Sequence, residues 1–195
     1  MNFAVLGVLV GLAVATPAVA GNPFADARAA TRLVDSDVAG AKCSAVVIAP
    51  GTALTAKHCV DSIPKMRVDG KEVVGAVSHL SQDIARLTVP GLACPCVEVG
   101  AMAPQKDETV ISVGWLFGDL LITSRGEYLG VFVSPDDKQP YGIFMGNVGP
   151  GMSGGGVFRV FVTGEVRLVG ILSAMGQNGF PGIYVEVDTQ KVKSW

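Results

Sequence analysis

Gly149-Pro150-Gly151-Met152-Ser153-Gly154-Gly155-Gly156 sets one serine in a turn that holds five glycines. A serine so placed exposes its hydroxyl, and backbones without a Cβ let neighbouring N–H groups converge on one point. Apolar, strand-like stretches flank it, Tyr141 to Met145 before and Val157 to Val162 after. The loop therefore joins strands, and glycine-rich loops also serve sheet corners. What the serine does depends on the partners the rest of the chain supplies.

Working outward, apolar runs of about five residues recur between Gly, Pro and Asp punctuation, which is an all-β rhythm. Further candidate strands are Ala45 to Ile48, Ala53 to Thr55, Ile84 to Val89, Thr109 to Val113 and Glu127 to Val133, several rich in Val and Ile. Asp69-Gly70 between Met66 to Val68 and Lys71 to Val74 predicts a hairpin, and Thr163-Gly164 between Val157 to Val162 and Val166 to Ser173 predicts another. A brief turn is expected after Ala56-Lys57-His58, and one helix at the end, Gln190 to Trp195, capped by Asp188 or Thr189. The remainder reads as strand and loop.

The chain of 195 residues is 49% hydrophobic and 16% charged, so it can bury enough apolar surface to offset its ordering entropy. A net charge of -2 offers no basic field, and no nucleic-acid partner is expected. Met1 to Ala20 has no ionisable side chain, an apolar run from Phe3 to Ala15 and a small-residue end, Ala18-Val19-Ala20, which is the pattern of a cleaved export leader. A run of roughly 20 apolar residues is also long enough to span a bilayer. Pro17 and the small-residue end favour cleavage before Gly21, so no stable membrane insertion is expected afterwards. The expected organisation is a leader over 1–20, an N-terminal segment over 21–32, and two β units over 33–102 and 103–195, divided near Gly100 to Gln105. Four cysteines, Cys43, Cys59, Cys94 and Cys96, form an even set in an exported chain, which makes disulfides plausible with three pairings open. None of the zinc spacings fits, and no metal or cofactor is expected.

Two stretches upstream offer chemistry to the serine. Leu54-Thr55-Ala56-Lys57-His58-Cys59 places a histidine just past a strand, and its near-neutral pKa suits proton transfer. Gln82-Asp83-Ile84-Ala85-Arg86-Leu87 starts a strand with a carboxylate at its mouth, where it can hold an imidazole or simply form a turn. In the order His, Asp, Ser, the three stretches resemble the chymotrypsin-like serine proteases. Thr55-Ala56-Lys57-His58-Cys59 is similar to the family's Thr-Ala-Ala-His-Cys, Asp83-Ile84-Ala85-Arg86-Leu87 to its Asp-Ile-Ala-Leu-Leu, and Gly151-Met152-Ser153-Gly154-Gly155 to its Gly-Asp-Ser-Gly-Gly. Cys43 to Ile48 also precedes the histidine as in the family, and Leu168 to Ser173 followed by Pro181-Gly182-Ile183-Tyr184 resembles the strands flanking its specificity pocket. The resemblance runs from about Cys43 to Trp195.

The resemblance implies two six-stranded antiparallel β-barrels with a short C-terminal helix, and a secreted endopeptidase acting on protein or peptide substrates as a monomer. Ser153 becomes the nucleophile, His58 the base, Asp83 its orienting acid, and the N–H groups of Gly151 and Ser153 the oxyanion hole. Cys43 pairs with Cys59 beside the site, and Cys94 and Cys96 either bridge each other or remain thiols. Asn147, Val148, Ser173, Met175 and Gly182 become substrate-binding positions, with the Ser173 carbonyl on the substrate main chain. No carboxylate stands at the pocket base, so a small or medium uncharged P1 side chain is expected.

Met152 departs from the aspartate with which cut-activated members bind a new N-terminus, so that switch cannot operate, and Arg32-Leu33-Val34 is a poor activation site. Asp61 and Asp69 compete with Asp83, although Asp61 is close to His58 in sequence. Two other functions fit the residues: a catalytically silent binding protein on the same fold, and an esterase using the same serine.

Overall fold

The computed structural model of the protein describes residues 22–37, 40–176, 179 and 181–193. The expected leader, residues 1–20, and the final two residues of the expected terminal helix lie outside the described residues. The first element is a helix, α1 (Pro23–Ala30), in a stretch the sequence reads as irregular. Its start is capped by the Asn22 side chain, which accepts from the N–H groups of Phe24 and Ala25 at 3.1 and 3.4 Å, with Pro23 in the first turn. The helix buries only Ala27 and Ala30, so no stripe of large apolar side chains announces it.

Seven strands and a second helix follow: β1 (Thr31–Asp35), β2 (Cys43–Ala49), β3 (Thr52–Thr55), α2 (Lys57–Ser62), β4 (Arg67–Val68), β5 (Lys71–Glu72), β6 (Gly75–Ser78) and β7 (Ala85–Thr88). They form one sheet in the order β5-β4-β1-β2-β3-β7-β6. The Asp69-Gly70 hairpin is present between β4 and β5, and both turn residues have positive φ, 51° and 73°, as a type I′ turn requires. The second set is β8 (Thr109–Leu116), β9 (Leu120–Val133), β10 (Pro140–Phe144), β11 (Gly156–Val160), β12 (Val166–Met175) and β13 (Gly182–Glu186), followed by α3 (Thr189–Lys193). These six strands close into a barrel in the order β10-β13-β12-β11-β8-β9. The all-β, double-barrel architecture is as expected, with one difference of detail. The first unit is a half-barrel of seven strands, because β5 and β6 end its sheet and do not pair with each other.

β9 runs for 14 residues, seven more at its start than the apolar stretch Glu127 to Val133 suggests. Thr123, Ser124 and Arg125 interrupt the pattern there, but continuous pairing with β8 from Thr109↔Glu127 to Leu116↔Leu120 satisfies the backbone. The edge strand β6 is exposed or half-exposed along its length, which likewise hides it from a reading based on burial.

Three apolar clusters hold these elements. One lies under the first sheet around Val34, Ala45, Val47, Met66 and Leu87. A second fills the closed barrel with Tyr128, Phe144, Met152, Leu172 and Tyr184. The largest joins the two sheets, bringing Val46, Leu54 and Ile84 of the first unit and Ala27 and Ala30 of α1 against Ile111, Val113, Phe158 and Leu168 of the second. Phe158, fully buried in that shared cluster, is the natural probe of whether the units stand together. Phe158→Ala is expected to cost about 3–5 kcal/mol in urea unfolding. Circular dichroism and tryptophan fluorescence should then report one coincident transition, since both units lose the same contact surface.

Candidate active site

The ends of two paired strands and one loop bring His58, Asp83 and Ser153 towards one another. β3 ends at Thr55 and the chain turns at once into α2, so His58 sits in the first turn of a helix, where backbone N–H groups have no partner within the helix. Asp83 lies just before β7, which pairs with β3, and its Oδ1 accepts the His58 N–H at 2.8 Å. Its Oδ2 lies 2.7 Å from His58 Nδ1 and also accepts the Ser173 hydroxyl at 2.5 Å. An ionised Asp83 therefore keeps the ring proton on Nδ1 and leaves the Nε2 lone pair open.

Ser173 reaches that carboxylate because β12 bulges there. Leu172 stands opposite Tyr184 and Ala174 opposite Ile183, so one extra residue of β12 falls between adjacent partners on β13. The sequence reading gives Ser173 a role through its carbonyl only, and the hydroxyl contact is invisible without the bulge.

Ser153 follows a tight turn between β10 and β11. The Met152 N–H donates to the Gly149 carbonyl at 3.1 Å, and Gly151 between them has φ 88°, the third position of a type II turn. Ser153 is held by its carbonyl, which accepts the Ser44 N–H at 2.7 Å, while the Gly154 N–H donates to Leu172 at 2.8 Å. A side chain at Gly154 would place its Cβ 2.2 Å from Thr55 Oγ1 and 3.1 Å from the Ala56 nitrogen, so only glycine lets this loop press onto the segment that carries His58. The Ser153 carbonyl lies 3.8 Å from Cys59 Sγ. Among the described residues, Ser153 Oγ makes no hydrogen bond, and the N–H groups of Gly151 and Ser153 have no acceptor.

The Asp83 hydrogen bond holds the His58 imidazole above its ordinary value, against burial that pushes it down, with further help from the charges of Asp83 and Asp61. Burial pushes Asp83 up, yet the hydrogen bonds from the His58 ring, Ser173 and the His58 N–H outweigh it, so its carboxyl lies below its ordinary value. Met152, where an acid is absent, is buried inside the closed barrel.

A cavity of about 220 Å³ adjoins Ser153, with Val148, Ser173 and Met175 of the expected substrate-binding set on its walls, together with Pro150, Leu172 and Ala174. Two of that set stand elsewhere. Asn147 is exposed and its N–H donates to Ser124 Oγ at 3.0 Å, while Gly182 is buried in the ladder opposite Phe144 and Met175. Cys43 is bonded to Cys59, and Cys94 to Cys96. Cys43, Cys59 and His58 gather ligand atoms within 4.8 Å of one another, but the two sulfurs are joined as a disulfide and cannot bind a metal as thiolates. Sequence reasoning misses Ser44, a polar residue inside the apolar run of β2. Its position in that run is the one signal that marks it.

Residues 43–171 match the family model of the trypsin-like peptidase domain. No curated protein matches the chain in sequence at a significant level. Among solved structures, an inactive-form mutant of Rv3671c from M. tuberculosis H37Rv superposes with a TM-score of 0.72 at 19% identity, over 95% of this chain and 94% of that one. The active form of the Rv3671c protease gives 0.70 at 19% identity, over 98% and 92%. The HtrA-type protease AlgW with a bound tripeptide gives 0.71 at 22% identity, over 88% of this chain and 60% of that one. At such identities the likeness is one of fold.

The Asp83 contact makes a prediction for the imidazole alone. By NMR titration His58 should titrate above 6.5, and Asp83→Asn should carry it below that value, because burial persists when the attraction is removed.

Proposed function

The chain belongs to the trypsin-like peptidase family and is a serine protease hydrolase, and from that premise we propose an endopeptidase in which Ser153, His58 and Asp83 act as one unit. The observation that carries this reading is the Asp83 carboxylate, which accepts from His58 N and Ser173 Oγ and lies against His58 Nδ1. A carboxylate so fully occupied orients the ring, fixes its tautomer and stabilises the imidazolium that forms when the ring takes a proton.

In the proposed reaction Ser153 Oγ attacks the scissile carbonyl carbon while its proton passes to His58 Nε2. The carbonyl oxygen gains the electron pair as an oxyanion and is received by the N–H groups of Gly151 and Ser153. The carbon–nitrogen bond then breaks, His58 returns the proton to the leaving amine, and an acyl-enzyme remains on Ser153. Water, deprotonated by His58, repeats the sequence and frees Ser153. The Val148 and Met175 walls of the cavity support a small or medium uncharged side chain at P1. We extend the proposal to an exported monomer that cleaves protein or peptide substrates without a cofactor, the export resting on the leader-like residues 1–20.

The absence of a hydrogen bond between Ser153 Oγ and His58 favours a second reading, a silent protein that binds peptides. Substrate-free sites, however, commonly have looser nucleophile contacts than the reacting complex. Labelling with a fluorophosphonate separates the two. The wild type should react at Ser153, located by mass spectrometry, and Ser153→Ala and His58→Ala should not. A folded wild type that stays unlabelled would end the peptidase reading.

Two kinetic outcomes follow. Peptide turnover should fall by about 10⁴-fold or more in Ser153→Ala and His58→Ala. The acid limb of kcat/KM should lie above 6.5, since a raised imidazole pKa keeps the base protonated to higher pH and activity is lost as pH falls through it.

A further inference from the structure

Cut-activated serine proteases order the turn before the nucleophile with an ion pair, and Met152 rules that out here. Something else must hold the two N–H groups that receive the oxyanion. The Pro150–Gly151 peptide carries the first of them. Its carbonyl accepts the Phe117 N–H at 2.8 Å, and in a trans peptide the N–H then points the opposite way, where no described residue accepts it. Flipping this peptide would turn the type II turn into a type I turn, withdraw the donor and break the Phe117 bond. Phe117 makes that bond from a backbone with φ 54°, a conformation that costs energy for a bulky side chain.

The Phe117 donor works only if the end of β8 stays beside the loop, and Ser44 pins the two together. Ser44 is fully buried in β2. Its hydroxyl accepts the Trp115 N–H at 2.8 Å and donates to the Gly151 carbonyl at 3.0 Å, which uses its single proton. Its own N–H donates to the Ser153 carbonyl at 2.7 Å. One residue therefore grips both residues whose N–H groups face the oxyanion, together with the strand that carries the Phe117 donor. The Trp115 carbonyl lies so close that a Cβ at Gly151 would stand 2.6 Å from it.

We propose that Ser44 is the positioning residue of the oxyanion hole, a hydroxyl pin that replaces the ion pair of cut-activated relatives and keeps the hole formed without any cleavage of the chain. The proposal rests on the peptidase reading and concerns the transition state rather than the ground state. The pin holds donors that matter only once the carbonyl oxygen bears charge.

The test is Ser44→Ala, with folding followed by thermal melting. In the folded variant kcat should fall by about 10- to 100-fold while KM stays within about threefold, less than the loss of a donor outright. Affinity for a peptide boronic acid, which forms a tetrahedral adduct with Ser153, should fall by a similar factor, and that for the same peptide without boron should not. Unchanged kcat and boronate affinity in a folded Ser44→Ala, or an equal loss for both ligands, would overturn the proposal. Should Ser44→Ala not fold, Gly118→Ala reaches the same clamp from the other side. Gly118 has φ 80°, a conformation that strains alanine, and a Cβ there would meet the flexible Lys42 side chain at 2.6 Å, so the substitution strains the turn that presents the Phe117 N–H. The same selective loss is expected, and its absence would sink the idea. A wild type that neither labels nor cleaves would instead remove the peptidase reading beneath it.

Discussion

The carboxylate of Asp83 is the group on which the arrangement depends. It takes two contacts from His58 at the start of α2 and one from Ser173 on β12, so a single anion ties the half-barrel to the closed barrel. A buried carboxylate without partners would be costly and would tend to protonate. Here three donors reverse that tendency, and the same contacts that satisfy the charge orient the imidazole. The large apolar cluster shared by the two units holds both sides of this contact at a fixed separation.

The serine loop is stabilised by different means. Met152 buries an uncharged side chain among Val148, Leu172 and Tyr184, which gains apolar burial without the desolvation that an acid at that position would suffer. Backbone direction is then set by hydrogen bonds: Phe117 to Pro150, Ser44 to Gly151 and Ser153, Gly154 to Leu172. Such a loop needs no new terminus to order it. Its cost lies in conformations that few residues tolerate, with Gly151 and Gly154 at positive φ in close contact with neighbouring backbone.

What could be read from residues was whatever chemistry leaves local marks. Strands with Val and Ile runs were legible, as was the Asp69-Gly70 hairpin, because turn chemistry is written in adjacent residues. α1 was not, since it buries only two alanines and its helical stripe is too small to register. The first half of β9 and all of β6 were missed for the opposite reason, their side chains being exposed or half-exposed while the backbone is paired. Of the expected cavity walls, Val148, Ser173 and Met175 line it. Asn147 does not, because a residue count along a loop says nothing of which way the chain turns, and Gly182 does not, because it is buried in the β13 ladder opposite Phe144 and Met175.

By itself the sequence determined the all-β class, the ordered His58, Asp83 and Ser153 motifs, and the loss of an acid at Met152. Each of these is a matter of residue type and local spacing. Tertiary structure alone decided that Ser173 bulges towards Asp83, that the closed barrel pairs with a half-barrel, and that Ser44 meets a loop more than a hundred residues away. The physical reason is the same in each case. A hydrogen bond's partner is chosen by distances of about 3 Å in the folded chain, and separation along the sequence carries no record of them.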